Sequence, residues 1–180
     1  MIDVKVAKRY ANALFLISKE QKTLDAVSED LKALAQCLEL SADMRLFIRN
    51  PIFKKEERVQ LLTNVFKNSL HPSVLNFLMF LVDKNRLNLL GDVIAMFHDL
   101  FMQHHNIQEV YLSTEREMDE GMLQSLIKKL SEWSGKKIQT HVRVDPGLLG
   151  GFKLNTGDVV YDASLKTQLR RFQESVVSTV

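Results

Sequence analysis

Apolar residues recur every three or four positions through the first hundred residues, which is the spacing of one face of an α-helix. In residues 23–40 the stripe consists of Leu24, Val27, Leu31, Leu34 and Leu38. Comparable stripes predict further helices over residues 3–19, from Ser41 to Asn50-Pro51, and over residues 54–69, 72–84 and 87–105. The first part of the chain is therefore predicted to consist of six helices.

The fifth predicted helix differs from its neighbours because apolar residues cover nearly its whole circumference. Between Val74 and Val82 every residue except Asn76 is apolar. Such a helix is either buried on all sides or leaves one apolar side at the rim of the bundle. In the second case that side forms an exposed groove of the kind that marks a binding surface. The pattern alone favours neither alternative.

Beyond residue 105 the pattern becomes mixed. Residues 108–113 alternate as in a strand, and a helix is predicted over residues 119–134, closed by Gly135. Its inward stripe is predicted to comprise Met122, Leu126, Leu130 and Trp133. A second alternating strand is predicted to place one set of residues on its buried face, namely Ile138, Thr140, Val142 and Val144.

The last forty residues combine turn signals with β-prone runs. Phe152-Lys153-Leu154 and Val159-Val160-Tyr161 flank the turn residues 155–158, which predicts a hairpin. Asp162 is predicted to cap the final helix by accepting from free N–H groups two or three residues on. The apolar stripe of that helix comprises Leu165, Leu169, Phe172 and Val176.

Composition changes at the point where the pattern changes. Six of seven glycines lie beyond residue 120, whereas eight of ten phenylalanines lie before residue 102. We therefore place a domain boundary between His105 and Gln108. The predicted fold is α+β overall, with an N-terminal six-helix bundle at residues 1–105 and a small α+β domain at residues 106–180. In that domain the helices are expected on one face of a sheet.

Charge and cysteine content argue against several classes of protein. The 24 Lys and Arg against 22 Asp and Glu give a net charge of +2, without the strong basic excess of nucleic-acid modules. The single Cys37 cannot form an internal disulfide, which favours the reducing cytosol. Residues 1–5 begin no apolar secretory segment, and no run of eighteen apolar residues occurs. We expect any membrane association to be indirect, through a partner.

No reaction centre is apparent among the candidate chemical groups. Gly150-Gly151 leads into a strand without a following Lys-Ser, so we interpret the pair as relief for a crowded or left-handed backbone, not as a phosphate loop. His104-His105 are adjacent on a helix, point apart, and are poorly spaced for one metal ion. We predict a non-catalytic protein that has no cofactor and no metal.

Three separated segments resemble signatures of one known family. They are Ala7–Phe15, Asn76–Leu78 together with Leu81–Leu87, and a C-terminal pattern. The last comprises Asp145-Pro146, Leu149-Gly150-Gly151-Phe152, Gly157-Asp158, Asp162-Ala163-Ser164 and Leu169. All three resemble the delta subunit family of F-type ATP synthase, which includes the mitochondrial oligomycin-sensitivity-conferring protein. Gly147, Tyr161 and Leu165 depart mildly from the usual residues.

The resemblance implies a stator subunit. It implies that the helical domain binds N-terminal helices of the alpha subunits on the catalytic head. It also implies that the C-terminal domain binds the C-terminal part of the b subunits and resists the torque of the rotor. One copy per complex is implied, at the cytoplasmic face of the cell (inner) membrane.

The resemblance also places the alpha contact in a groove between the first and fifth helices. The residues implied are Tyr10, Ala13 and Leu14 on one side and Asn76 and Phe80 on the other. For the b subunits, only the region from Gly150 to Ser164 and the last helix are implied.

Two alternatives come from other classes of protein. One is an RNA-binding helical bundle with an accessory α+β domain, whose phosphate contacts would come from Lys8, Arg9, Lys54, Lys55, Arg58, Arg170 and Arg171. Binding that falls steeply with salt would support it. The other is an enzyme with a small-ligand site on the α+β domain.

Overall fold

The computed structural model describes residues 2–50, 53–157 and 159–177. Pro51, expected to end the third helix, and Asp158, expected in the hairpin turn, lie outside the described residues, as does the side chain of Val176. The described helices are α1 (Ile2–Glu20), α2 (Leu24–Leu40), α3 (Ala42–Arg49), α4 (Lys55–Phe66), α5 (Pro72–Asp83), α6 (Leu90–His104), α7 (Glu120–Ser134) and α8 (Leu165–Val177). The strands are β1 (Ile107–Thr114), β2 (Lys137–Val144), β3 (Phe152–Asn155) and β4 (Val160–Asp162).

The mixed α and β class predicted from the sequence is confirmed. Among the described residues the chain has eight α-helices and one four-stranded sheet. It divides into two compact units, residues 1–102 and 103–180, so the division falls in the last turn of α6. The sequence analysis placed the boundary three residues later.

One hydrophobic cluster forms the core of the helical unit. The stripe predicted on α2 is confirmed, since Leu24, Val27, Leu31 and Leu34 are buried and Leu38 is half-buried against them. Small residues bring α1 into the same cluster, because Ala7 and Ala11 are completely buried.

Two details of the helical unit differ from the prediction. A separate 3-10 turn at Leu87–Leu89 precedes α6, which begins at Leu90 instead of at residue 87. Val65 was predicted to be buried on α4 but is 55% exposed, while Arg58 of the same helix is buried. An apolar residue at the edge of a stripe is left in solvent when no neighbouring helix covers that edge.

The sheet has the order β2-β1-β3-β4. β1 and β2 are parallel, with Leu112 opposite Val142, and α7 provides the crossover between them. β3 pairs antiparallel with both β1 and β4, so the predicted hairpin is confirmed. Val110, Leu112 and Leu154 form the small buried core, and α7 packs against it.

The predicted inward faces of α7 and β2 are only partly correct. Leu126 and Leu130 pack against the core, but Met122 and Trp133 are 66% and 70% exposed. Leu123 takes part in the packing instead. On β2, Ile138 and Thr140 are half-buried as predicted, whereas the final residues, Val142 and Val144, are exposed. The core is too small to cover the whole apolar stripe of either element.

The start of α8 is fixed by a local network of hydrogen bonds. Asp162 Oδ1 accepts from the backbone N–H of Ser164 at 3.0 Å and from its hydroxyl at 2.6 Å, while Oδ2 accepts from the Thr167 hydroxyl at 3.0 Å. Ser164 Oγ then accepts from the Thr167 N–H at 3.3 Å. Asp162 thus accepts two residues on, as predicted, but Ser164 is the residue that caps the helix itself.

Gly150 and Gly151 bring the chain close to the start of α8. Both have positive φ, at +135° and +77°, and a Cβ on Gly151 would collide with the backbone carbonyl oxygen of Ala163. The N–H groups of Ala163 and Leu165 donate to the carbonyl oxygens of Phe152 and Gly150, each at 3.0 Å. The two glycines therefore relieve a crowded, left-handed backbone, as the sequence predicted.

Candidate partner-binding site

The α1/α5 groove lies between two helices whose inner faces belong to the core. On α1, Leu14 is buried, and the buried Ser18 hydroxyl donates to its carbonyl oxygen at 2.7 Å. α5 begins where His71 Nδ1 accepts from the Ser73 N–H at 3.2 Å, with Pro72 in the first turn. This start suits proline, whose missing N–H is not needed there.

All five residues that the sequence analysis singled out line this one groove. It has a volume of about 330 Å³, and its lining includes Tyr10, Ala13, Leu14, Asn76 and Phe80. Tyr10 and Phe80 meet edge to face across it, with ring centroids 5.8 Å apart. Phe80 is 42% exposed, so the apolar circumference of α5 is not buried on all sides. The rim alternative for the fifth helix is therefore correct.

Four further residues complete the lining of the α1/α5 groove, namely Ile17, Gln21, Ser73 and Phe77. The sequence analysis did not include them in the site. Ile17 and Gln21 follow Ala13 at successive four-residue steps, and Phe77 follows Ser73 at the same step. Extending the helical spacing from the five predicted residues would have found them, because residues four apart share a helix face.

The two ends of the groove differ in polarity. At one end the Ser73 hydroxyl donates to Gln21 Oε1 at 3.1 Å. At the other end Lys84 lies over the Phe80 ring, with Nζ 5.7 Å from the centroid. Asp83 stands beside it, and hydrogen bonds from Lys55 and then Lys84 hold the pKa of its carboxyl below the usual range. Between these two ends the lining is apolar except for Asn76.

A second groove in the helical unit, between α2 and α6, is slightly larger at about 380 Å³. Its walls include the buried core residues Leu31, Ile94 and Phe97. Its lining contains the buried Phe97 but no exposed phenyl ring such as that of Phe80. Aromatic side chains are enriched at protein interfaces, so the α1/α5 groove is the stronger candidate despite its smaller volume.

The α7/α8 groove is the corresponding surface of the C-terminal unit. It has a volume of about 660 Å³, and its lining is drawn from α7, the sheet and α8: Leu126, Leu130, Trp133, Phe152, Leu154, Val160, Tyr161, Asp162, Ala163 and Arg171. On the outer surface of α8 the apolar stripe is exposed, with Leu165 at 47% and Leu169 at 62%. The stripe and the groove residues from Phe152 to Arg171 fall in the two regions implied for the b subunits, whereas the α7 residues of the groove lie outside them.

Two of the basic residues assigned to RNA phosphate contacts are engaged within the protein. Arg58, one of the basic residues assigned to phosphate contacts, is buried and donates from Nη2 to the Asn50 carbonyl oxygen at 2.6 Å. Lys55 is paired with Asp83. In the described part of the chain no three His, Cys, Asp or Glu side chains are grouped closely enough to hold a metal ion. None of the described helices is long and apolar enough to cross a membrane.

A model of the family described as "ATP synthase delta (OSCP) subunit" matches residues 6–176, which is nearly the whole chain. The chain belongs to this family. Among its relatives is ATP synthase subunit delta of Carboxydothermus hydrogenoformans, which is 36% identical over 98% of this chain and 99% of the relative. Another is ATP synthase subunit delta of Synechococcus elongatus, which is 34% identical over 94% of each chain.

Solved structures share the fold of this delta-family chain. A chain in the cryo-EM structure of the Toxoplasma gondii mitochondrial ATP synthase hexamer aligns with a TM-score of 0.75 and 23% identity, covering 95% of this chain and 97% of that chain. The protein is thus a delta-type subunit of F-type ATP synthase, a non-catalytic component of the peripheral stalk.

Proposed function

We propose that the α1/α5 groove binds an N-terminal helix of an alpha subunit of the catalytic head. The observation that supports this most directly is that Tyr10, Ala13, Leu14, Asn76 and Phe80 all line one apolar groove. An amphipathic helix can lay its apolar face into such a groove. Tyr10 and Phe80 supply large aromatic contact area, and the small Ala13 lets a partner backbone approach closely.

We further propose that the two parts of the chain bind different partners. The six helices before β1 act together as a head-binding bundle, residues 1–105, and residues 106–180 bind the C-terminal part of the b subunits through residues 150–164 and α8. Held at both ends, a single copy resists the torque of the turning rotor at the cytoplasmic face of the inner membrane. The exposed apolar residues of both parts support this assignment, because exposed apolar patches mark interaction sites.

The groove is tested by Ala13→Trp. The indole fills the space where the partner helix must lie, so affinity for an alpha N-terminal peptide should fall at least about tenfold, or 1.4 kcal/mol. The measurement is calorimetric titration of the full chain with the N-terminal peptide of the alpha subunit from the same genome. Far-UV circular dichroism verifies that the variant keeps its helices.

The matched control is Leu16→Trp. Leu16 is 63% exposed on the same helix but does not line the groove, so the same bulk there should leave affinity within about twofold. Unchanged affinity of Ala13→Trp would place the alpha contact elsewhere on the protein. Purification from solubilised membranes tests the wider function: alpha and b subunits should both accompany the tagged chain.

A further inference from the structure

The walls of the α7/α8 groove carry a pair of exposed aromatic rings. Trp133 is 70% exposed and Tyr161 is 44% exposed, and their rings meet edge to face with centroids 6.1 Å apart. Below them Leu154 is buried and Phe152 is half-buried. Rings that contact each other but remain open to solvent offer a large apolar surface at little entropic cost, because they are already positioned.

Two basic residues lie near this aromatic pair. Arg171 of α8 lines the groove, and Lys129 lies one helical turn before Trp133 on α7. Neither makes an ion pair with a described residue. The acidic lining residue, Asp162, is already satisfied by its hydrogen bonds at the start of α8 and by Lys153, whose Nζ is 3.6 Å from Oδ2. Of the two charged residues that line the groove, Arg171 is therefore the one left to pair with a partner.

The geometry favours a helix over an added strand. The groove is lined mainly by side chains of α7, β3 and β4, with Arg171 contributed by α8. A helix, whose own backbone is satisfied internally, can lay its apolar face against such a surface. The free edge nearby belongs to β4, which has only three residues and offers little for a new strand to pair with.

We propose that the α7/α8 groove receives an acidic amphipathic helix, whose apolar face covers Trp133 and Tyr161 and whose carboxylates meet Arg171 and Lys129. The inference rests on the proposed binding of the b subunits and deepens it. It states that their C-terminal segment contacts this unit through an apolar stripe flanked by Asp and Glu. The aromatic pair supplies contact area, and the basic side chains select the charge of the occupant.

The chain contains its own probe of this groove, because Trp133 is its only tryptophan. The probe peptide is the C-terminal segment of the b subunit from the same genome, about 25 residues long to allow several helical turns. A second peptide carries Asn and Gln in place of its Asp and Glu. Titrating the acidic peptide into the full chain should shift the tryptophan emission to shorter wavelength as Trp133 leaves water, and the peptide should gain helical circular dichroism.

Arg171→Gln should lower the affinity for the acidic peptide about two- to fivefold, the range of a partly exposed ion pair. The matched control is Arg170→Gln, which removes the same group from the adjacent position. Arg170 faces Glu174 at 3.9 Å and does not line the groove, so affinity should stay within about twofold. Raising the salt concentration from about 0.05 to 0.5 M should lower the affinity of the parent chain for the acidic peptide more than it lowers the affinity of Arg171→Gln.

The possible outcomes distinguish the proposed acidic helix in the α7/α8 groove from the broader proposal that this unit binds the b subunits. Equal affinity for the acidic and neutral peptides, or for the parent chain and Arg171→Gln, overturns the charge selection while leaving the b contact in place. Binding without a change in Trp133 emission, or with gain of strand signal, overturns the α7/α8 groove as the site of a helix. Failure of both peptides to bind overturns the proposed b contact itself.

Discussion

The two units of this protein present apolar surface to a partner in different ways. Among the described residues, the main core cluster of the helical unit contains twenty buried hydrophobic residues, whereas that of the sheet unit contains three. The helical unit presents the α1/α5 groove beside this large core. The sheet unit leaves much of its apolar surface in solvent, including Trp133, Leu165 and Leu169.

Because the two cores differ in size, the two grooves are held in place by different interactions. The α1/α5 groove is held by core packing, because two of its lining residues, Leu14 and Phe77, belong to the main core. The α7/α8 groove depends on local backbone features instead, chiefly Gly151 and the network around Asp162. We expect the first surface to be sensitive to core packing and the second to single polar or glycine substitutions.

The largest expected effect is that of Phe97→Ala in the helical core. Phe97 is 1% exposed and meets Phe15 at a centroid distance of 5.9 Å. Removing a buried ring costs about 3–5 kcal/mol of unfolding free energy. Urea denaturation followed by helical circular dichroism measures it. Val65→Ala, at an exposed position, should change stability by no more than about 0.5 kcal/mol. Similar losses for both variants would contradict the tight helical core.

Gly151→Ala should lower the free energy of unfolding of the sheet unit by about 1–3 kcal/mol, because the added methyl group collides with the Ala163 carbonyl oxygen. Urea denaturation followed by Trp133 fluorescence reports on this unit. Gly157→Ala separates crowding from backbone conformation, since Gly157 has φ of +87° but nothing within 4 Å of a new Cβ. The free energy of unfolding of Gly157→Ala should be about 1 kcal/mol lower than that of the parent. If this control lost as much stability as Gly151→Ala, steric contact with Ala163 would not be the cause.

The smallest expected effect is a dependence on pH. The Ser164 hydroxyl and N–H, followed by Thr167 and Lys153, hold the pKa of Asp162 well below its usual range. A lowered pKa stabilises the folded state above the unfolded carboxyl pKa of about 3.9, and this contribution disappears as pH falls toward the folded value. Asp162→Asn should therefore be less stable than the parent above about pH 5, and the difference should shrink below about pH 4.

Urea midpoints of both proteins by Trp133 fluorescence, taken from neutral pH downward, measure this convergence. The control is Glu117→Gln, at an exposed position in the loop before α7. Its urea midpoint should differ from that of the parent by the same amount at every pH. A constant gap between the parent and Asp162→Asn would contradict the assigned role of the carboxylate.

The sequence predicted the elements better than it predicted which faces they bury. Periodicity located α2 and its buried stripe, because helix burial repeats with the helix itself. On α7 it selected Met122 and Trp133, which are exposed, and omitted Leu123, which packs on the sheet. Spacing reports where the apolar residues lie on a helix. Which of them a neighbour covers depends on the size and position of that neighbour.

The two grooves were predictable to different degrees for a related reason. Family resemblance supplied five residues of the α1/α5 groove, and helical spacing extends to Ile17 and Phe77. In the α7/α8 groove, Trp133, Tyr161 and Arg171 come from three separate elements, and only the tertiary fold brings them together. Pattern analysis therefore identified the region without identifying the pair of aromatic rings or its basic neighbours.

The attachment of α8 determines how this helix transmits mechanical force. Its first residues are joined to β3 by two main-chain hydrogen bonds, Ala163 to Phe152 and Leu165 to Gly150. β3 is paired with β1, and β1 follows α6 after only two intervening residues. Tension applied along α8 therefore loads the main-chain hydrogen bonds that join its start to β3 and those that join β3 to β1.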